Sequence, residues 1–200
     1  MRIVAIMGSY RKGRCVDRLV DEAIAGVMST GEHHVDKVTL IDRRIEYCRN
    51  CLTCRDSTTD AERAPCAIRD DMDEIAPLLE RADAFIFGSP VAIGTVTAVM
   101  KTFLDRTVWC FARPGRWPLK GCPKPRTRRA RSAIIILASG VVPPIIRFTC
   151  DEATKVMRDV CEDALNAKVI GSLYAGAVEK RGLDGYLPKA RELGRRLAKR

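Results

Sequence analysis

The sequence predicts an α/β fold, with one five-stranded parallel sheet and helices packed on both of its faces. Three observations predict it. Short apolar runs alternate with stretches of helical period along the 200 residues, strand then helix, five times over. The runs at 3–6, 84–87 and 133–138 are apolar without a break, which marks strands covered on both faces by crossover helices. Neither an internal repeat nor a linker-like stretch interrupts the chain, so a single domain over residues 1–200 is expected.

The elements follow in order. Residues 2–8 form the first strand. Val16, Leu19, Val20, Ala23, Ile24, Val27 and Met28 then fall on one face of a helix over about 16–28. Ser29-Thr30-Gly31 stops it, and 34–41 reads as the second strand. Residues 42–64 show no sustained period. Asp70 or Asp71 caps a helix whose Met72, Ile75, Leu78, Leu79 and Ala82 share one side. The third strand, 84–88, ends at Ser89-Pro90, and a helix follows over about 97–111. Residues 112–131, with Pro, Gly and many basic residues, predict a long surface loop. The fourth strand, 133–138, ends at Ser139-Gly140. A helix over about 149–165, a fifth strand at 168–175 and a last helix over about 187–198 complete the pattern.

Five strands of this kind suit the order 2-1-3-4-5, whose ligand site lies beyond the carboxyl ends of strands one and three. Gly8-Ser9 and Gly88-Ser89-Pro90 stand there. The loop from Gly8 to Cys15 would face Pro90-Val91-Ala92-Ile93-Gly94, with Ser139-Gly140 next along. A strand, a polar loop and a helix offer unpaired N–H groups and a favourable dipole to an anion. Arg11, Lys12 and Arg14 add positive charge, and Ser9 adds a hydroxyl. The loop nearly spells a P-loop. However, Arg14 replaces its lysine, and Cys15 replaces the hydroxyl that should hold Mg²⁺, an ion too hard for a thiol. No G-x-G-x-x-G fingerprint is present. A mononucleotide phosphate fits best, and a tight turn without a ligand is the alternative.

Four separated motifs carry a resemblance: Gly8-Ser9-x-Arg11, Cys66-x3-Asp70-Asp71-Met72, Gly88-Ser89-Pro90-Val91 and Lys101-x-Phe103-x-Asp105-Arg106. Together they resemble the NADPH-dependent FMN reductase family, and within it the iron–sulfur flavoprotein branch, over residues 1 to about 140. The resemblance implies a flavodoxin-like fold, FMN as cofactor and NAD(P)H as co-substrate. It implies that Ser9, Arg11, Gly13 and Cys15 hold the phosphate. Pro90, Val91, Ala92, Ile93 and Gly94 would line the isoalloxazine ring, with Ser139 and Gly140 at its other edge. Two departures stand out. Relatives carry an aromatic residue where Ala92 stands, so one stacking wall is missing. They also carry Ser or Asn near Cys15, a poorer phosphate donor. The relatives commonly assemble, which implies a homodimer or homotetramer.

The apolar run at the start is too short for a signal peptide or a membrane span, so a cytoplasmic protein without a membrane partner is expected. Nine cysteines in such a chain argue against a disulfide framework. Cys48, Cys51 and Cys54 follow a C-x2-C-x2-C spacing in a Cys-rich loop over about 46–68, and Cys66 follows after eleven residues. The resemblance implies a [4Fe–4S] cluster on these four. The spacing itself leaves zinc or unligated thiols open. Cys110, Cys122, Cys150 and Cys161 show no ligand spacing, and Cys161 reads as core. The neighbouring His33 and His34 read as surface residues.

The net charge is +10, concentrated between Lys101 and Arg131, where ten Lys or Arg residues meet one acid, Asp105. A basic stretch of this kind suits the 2′-phosphate of NADPH, through Lys120, Lys124, Arg126, Arg128 and Arg129, or else a solvated loop. It lacks the interleaved aromatics of a base-stacking surface, which argues against nucleic acid. The expected function is therefore FMN-dependent transfer of hydride from NAD(P)H to flavin, quinone or another small electron acceptor. No catalytic side chain is demanded, because the flavin carries the chemistry. The rival readings are a non-enzymatic iron–sulfur flavoprotein electron carrier and a nucleic-acid- or metal-binding module.

Overall fold

The computed structural model describes residues 1–115, 121–149 and 151–199. Lys120 and Cys150, named above, lie outside the described residues. The strands are β1 (Arg2–Met7), β2 (His34–Thr39), β3 (Ala84–Pro90), β4 (Ala112–Pro114), β5 (Pro123–Pro125), β6 (Arg131–Ala138) and β7 (Ala167–Ala175). The α-helices are α1 (Cys15–Met28), α2 (Met72–Arg81), α3 (Ala98–Phe111), α4 (Glu152–Asp163), α5 (Val178–Arg181) and α6 (Leu187–Ala198).

Five strands form one parallel sheet in the order β2-β1-β3-β6-β7. The expected order 2-1-3-4-5 is corrected to 2-1-3-6-7, because two short strands intervene. β4 and β5 pair antiparallel as a separate ribbon inside the segment read as a plain loop. Three of the ribbon's six residues are proline, which donates no ladder hydrogen bond and masks a strand in sequence.

Alternate strand residues point to opposite faces. Val4, Ile6, Phe85, Phe87, Ala133, Ile135 and Leu137 pack under α2, α3 and α4. Ile3, Ala5, Ala84, Ile86, Ile134 and Ile136 pack under α1 and α6. Each large side chain so buried contributes about 1.5–3 kcal/mol. Helices α1 and α6 meet backbone to backbone at two glycines. A Cβ on Gly26 would strike the Arg191 carbonyl, and one on Gly194 would strike the Ala23 carbonyl.

Three arginines of the basic segment are structural. Arg106, Arg126 and Arg131 are 3%, 8% and 5% exposed. Arg126 donates to the carbonyls of Ala112 (3.0 Å), Cys54 (3.0 Å), Thr59 (3.1 Å) and Ser57 (3.3 Å). Arg131 donates to Leu79 O at 3.0 Å, and Arg129 to Asp83 at 2.9 Å. Asp83 precedes β3 and Arg131 opens β6, so these residues tie down the amino ends of the strands. The expected ligand site lies at the opposite, carboxyl edge. The expectation that Arg126 and Arg129 hold a 2′-phosphate is therefore corrected.

Candidate functional site

The site begins where β1 ends. The Gly8 N–H donates to Gly88 O at 2.8 Å, so the loops after β1 and β3 start side by side. The buried Ser9 folds the first loop on itself: its Oγ accepts from Arg11 N at 3.1 Å and donates to Arg11 O at 3.2 Å. Arg14 precedes α1 and makes no side-chain cap. The first N–H groups of α1 therefore have no helical acceptor, as at any helix start.

One acid modifies the phosphate reading. Asp17, in the first turn of α1, reaches back so that its Oδ2 accepts the Gly13 N–H at 2.6 Å. Lys37 pairs with Asp17 at 2.5 Å and with Asp21. Burial disfavours the charged form of Asp17, but the Lys37 and Gly13 hydrogen bonds outweigh it and hold the pKa below the ordinary carboxylate value. Burial likewise opposes Lys37's charge, and Asp17 and Asp21 overcome it and raise its pKa. The N–H of Gly13 is thus already engaged. Lys12 is paired with Asp42 at 2.6 Å.

A crevice of about 320 Å³ opens at the carboxyl edge of the sheet, lined by Ser9, Arg11, Arg14, Cys15, Val16, Pro90, Val91, Ala138, Gly140, Val178 and Glu179. It gathers Ser9, Arg11, Cys15, Pro90, Val91 and Gly140 from the sequence-predicted set. Gly13, Ala92, Ile93, Gly94 and Ser139 do not line it. Ser139 braces the adjoining loop, with its Oγ accepting Val142 N at 3.2 Å. Ala92 to Thr95 form a tight turn, closed by Ala92 N to Thr95 O at 2.8 Å and the reverse bond at 3.1 Å. Ile93 and Gly94 have φ of 47° and 78°, the pattern of a type I′ turn. A β-branched residue is strained there, and Ile93 is fully exposed. The Gly94 carbonyl accepts from Glu152 N at 2.8 Å and Ala153 N at 3.1 Å, which pins the turn to the start of α4.

Three contributors escaped the sequence reading. Thr97 caps α3 and donates through Oγ1 to Gly8 O at 2.6 Å, clamping the first loop to the third strand's loop. Val178 and Glu179 come from the single-turn helix α5, too short to show a period. The Glu179 carboxylate lies where a Cβ on Gly140 would go. The β7-to-α5 junction could have been inferred, since every loop at this edge belongs to the same crevice.

The crevice fits FMN in outline. It offers Arg11, Arg14 and a helix N-terminus for a phosphate, and Pro90, Val91 and Gly140 as a low wall for a flat ring. It differs at Gly13, whose N–H is taken by Asp17.

The four expected cluster cysteines are not brought together. Cys48 and Cys51 are exposed, while Cys54 and Cys66 are half-buried against the core. The Cys54 thiol neighbours that of Cys110, and Cys66 Sγ accepts from Arg106 Nη2 at 3.6 Å. Among the described residues no group of three or more His, Cys, Asp or Glu is placed to hold a metal ion. This arrangement does not support the [4Fe–4S] expectation for Cys48, Cys51, Cys54 and Cys66. The neighbouring Cys110 thiol is the largest influence on the Cys54 thiol, whose pKa is lowered to about 6. Burial opposes that shift, and backbone N–H groups and Arg126 reinforce it. The Cys110 thiol is pushed far up by Cys54 and by burial.

The Cys-rich segment is anchored by a buried ion pair. Asp70 and Arg106 side chains are 0% and 1% exposed. Asp70 accepts from Arg106 Nη1 at 2.5 Å and Nη2 at 3.1 Å, and from Glu46 N at 2.8 Å and Met72 N at 3.0 Å. Burial opposes the charge on both groups. The Arg106 hydrogen bonds nevertheless leave Asp70 lowered, and Asp70 with Cys66 leaves Arg106 raised. Among the described residues no helix is long and apolar enough to cross a membrane.

Comparison with known proteins bears on the fold and the family. The iron–sulfur flavoprotein of Archaeoglobus fulgidus is 33% identical over 189 residues, covering 90% of this chain and 82% of the relative. The iron–sulfur flavoprotein of Methanosarcina thermophila is 33% identical over 108 residues, about half of each chain (54% and 53%). The solved NAD(P)H:quinone oxidoreductase from Methanothermobacter marburgensis superposes with a TM-score of 0.67 at 19% identity, covering 98% of this chain and 94% of its own. An FMN-dependent NADH-azoreductase from Bacillus anthracis, solved in complex with FMN, gives 0.67 at 10% identity, covering 99% and 100%. At such identities the solved structures show a shared fold. The model of the family described as NADPH-dependent FMN reductase matches residues 1–181. The chain belongs to the NADPH-dependent FMN reductase family.

Proposed function

We propose that this protein binds FMN in the crevice at the carboxyl edge and oxidises NAD(P)H to reduce a small acceptor such as a flavin or quinone. The observation that carries the proposal is the convergence of Arg11, Arg14 and the start of α1 on the same crevice as Pro90, Val91 and Gly140. FMN, when bound, supplies the hydride-accepting ring. The chain's own residues bind and orient. Arg11 and Arg14 neutralise the phosphate, and the first N–H groups of α1 donate to it. Ser9 keeps the loop folded, Thr97 fixes its distance from the ring wall, and Gly140 leaves room for the Glu179 carboxylate. Gly13 contributes conformation rather than a donor. Ala92, Ile93 and Gly94 form a rim, held by α4, over which the nicotinamide approaches.

Exposed Ile93, Val141, Ile145 and Phe148 on loops of the same edge support assembly into a homodimer or homotetramer. Three measurements test the reading: fluorescence titration of the purified chain with FMN, turnover of NADH and NADPH with a quinone, and sedimentation. Saturable FMN binding with turnover is expected. FMN binding without turnover would favour an electron carrier, and absence of both would refute the reading.

A further inference from the structure

Asp17 stands in the first turn of α1, at the end of the helix that meets the crevice, and is 7% exposed. A carboxylate there suits the helix dipole but repels an incoming phosphate. It also takes a donor that a phosphate could use, since its Oδ2 accepts the Gly13 N–H at 2.6 Å. That bond has a second effect. It holds Gly13 at a φ of 67°, in a turn between Arg11 and Arg14, which both line the crevice. A Cβ on Gly13 would meet nothing within 4 Å, so the Asp17 bond rather than side-chain packing fixes this turn. The other Asp17 oxygen faces a cation. Lys37 lies on β2 two residues after Val35, which packs toward α1, so strand alternation turns Lys37 the same way. Its Nζ is 2.5 Å from Asp17 Oδ1 and 2.5 Å from Asp21 Oδ1, one helical turn further on. Neither Asp17 nor Lys37 lines the crevice.

We propose that Asp17 and Lys37 are positioning residues for the flavin phosphate: Asp17 shapes the loop through Gly13, and Lys37 cancels the charge that would turn the phosphate away. The proposal rests on the FMN reading above and deepens it. The two oxygens of Asp17 divide the work, one holding the loop and the other neutralised from β2. The two residues therefore act on an anion with opposite signs. Removing the lysine leaves a carboxylate at the helix start without its nearest cation, and the phosphate is disfavoured. Replacing the aspartate with asparagine keeps an oxygen for the Gly13 N–H and removes the negative charge, so the phosphate is favoured. A pair that only braced β2 against α1 would give two losses of the same sign. The flavin ring carries no such charge, so the effect belongs to the phosphate and is absent from riboflavin.

The test titrates the full flavin-free chain with FMN and with riboflavin, as wild type, Lys37→Met, Lys37→Arg and Asp17→Asn. Lys37→Met should weaken FMN binding about fivefold, the effect of one partly screened charge, and leave riboflavin unchanged. Lys37→Arg should restore the wild-type affinity. Asp17→Asn should tighten FMN binding about fivefold, again without effect on riboflavin. Added sodium chloride should shrink both differences. If Lys37→Met fails to fold, Asp17→Asn decides alone: FMN affinity equal to or below wild type overturns the proposal. Parallel loss of both flavins in the two variants also overturns it, leaving a structural brace. A wild type that prefers FMN, with the same preference in every variant, overturns this proposal and spares the FMN reading. A wild type with equal affinity for the two flavins overturns both.

Discussion

Replacing Asp70 with Asn tests what holds the Cys-rich segment in place. The substitution keeps the shape but leaves the Arg106 guanidinium charged and unpaired at 1% exposure. Arg106 already has one buried nitrogen, Nε, without a partner, so it has little spare solvation to draw on. Removing one partner from a buried pair costs about 3–5 kcal/mol. Chains of 150–250 residues shift by roughly 2–4 °C in Tm per kcal/mol, which gives a fall of roughly 6–20 °C. Thermal and urea unfolding followed by circular dichroism measure it. The double variant Asp70→Asn with Arg106→Met should recover much of the loss, because the stranded charge is gone. An Asp70→Asn protein within about 0.5 kcal/mol of wild type, the range of ordinary surface changes, would refute the reasoning.

The same pair sets an acid limit. Asp70's folded pKa is depressed below its ordinary 3.8, so its stabilisation is complete above that value and is lost as pH falls through the folded pKa. Below about pH 4, wild type should lose stability more steeply than Asp70→Asn, as unfolding across pH will read. Gly194→Ala should push α6 off α1 and cost about 1–3 kcal/mol, typical of overpacking, with a lower urea midpoint. Ile93→Gly should relieve the positive-φ strain and stabilise by about 1 kcal/mol, unless Ile93 is buried in an oligomer. In that case sedimentation will show dissociation. Arg11→Ala should weaken FMN binding roughly ten- to a hundredfold, from a charge-assisted hydrogen bond of about 1.5–3 kcal/mol, with riboflavin binding unaffected in a parallel titration.

The central strands were legible because burial on both faces forces unbroken apolar runs such as 84–87 and 133–138. Helix α1 was legible through its apolar face. The crevice followed from topology, since parallel strands bring the loops after β1, β3 and β6 to one edge whatever their sequence. What escaped depends on long-range partners. Arg126 reads as one more charge in a basic run, yet it is buried by carbonyls of Cys54, Ser57 and Thr59 from a distant segment. Asp17 lies off the apolar face of α1 and has no local signal, yet it is bound to Gly13 and Lys37. Nothing local in the β4–β5 ribbon or in α5 announces structure, since both are held by their neighbours.

The most direct test of the flavin site compares FMN with riboflavin, which has the same ring without the phosphate. Titrating each into the flavin-free chain and following flavin fluorescence gives the two affinities side by side. If Arg11, Arg14 and the start of α1 form a phosphate site, FMN should bind at least tenfold more tightly, corresponding to about 1.4 kcal/mol or more. Arg11→Ala should narrow that gap. Equal affinity for the two flavins, or binding of neither, would contradict the account.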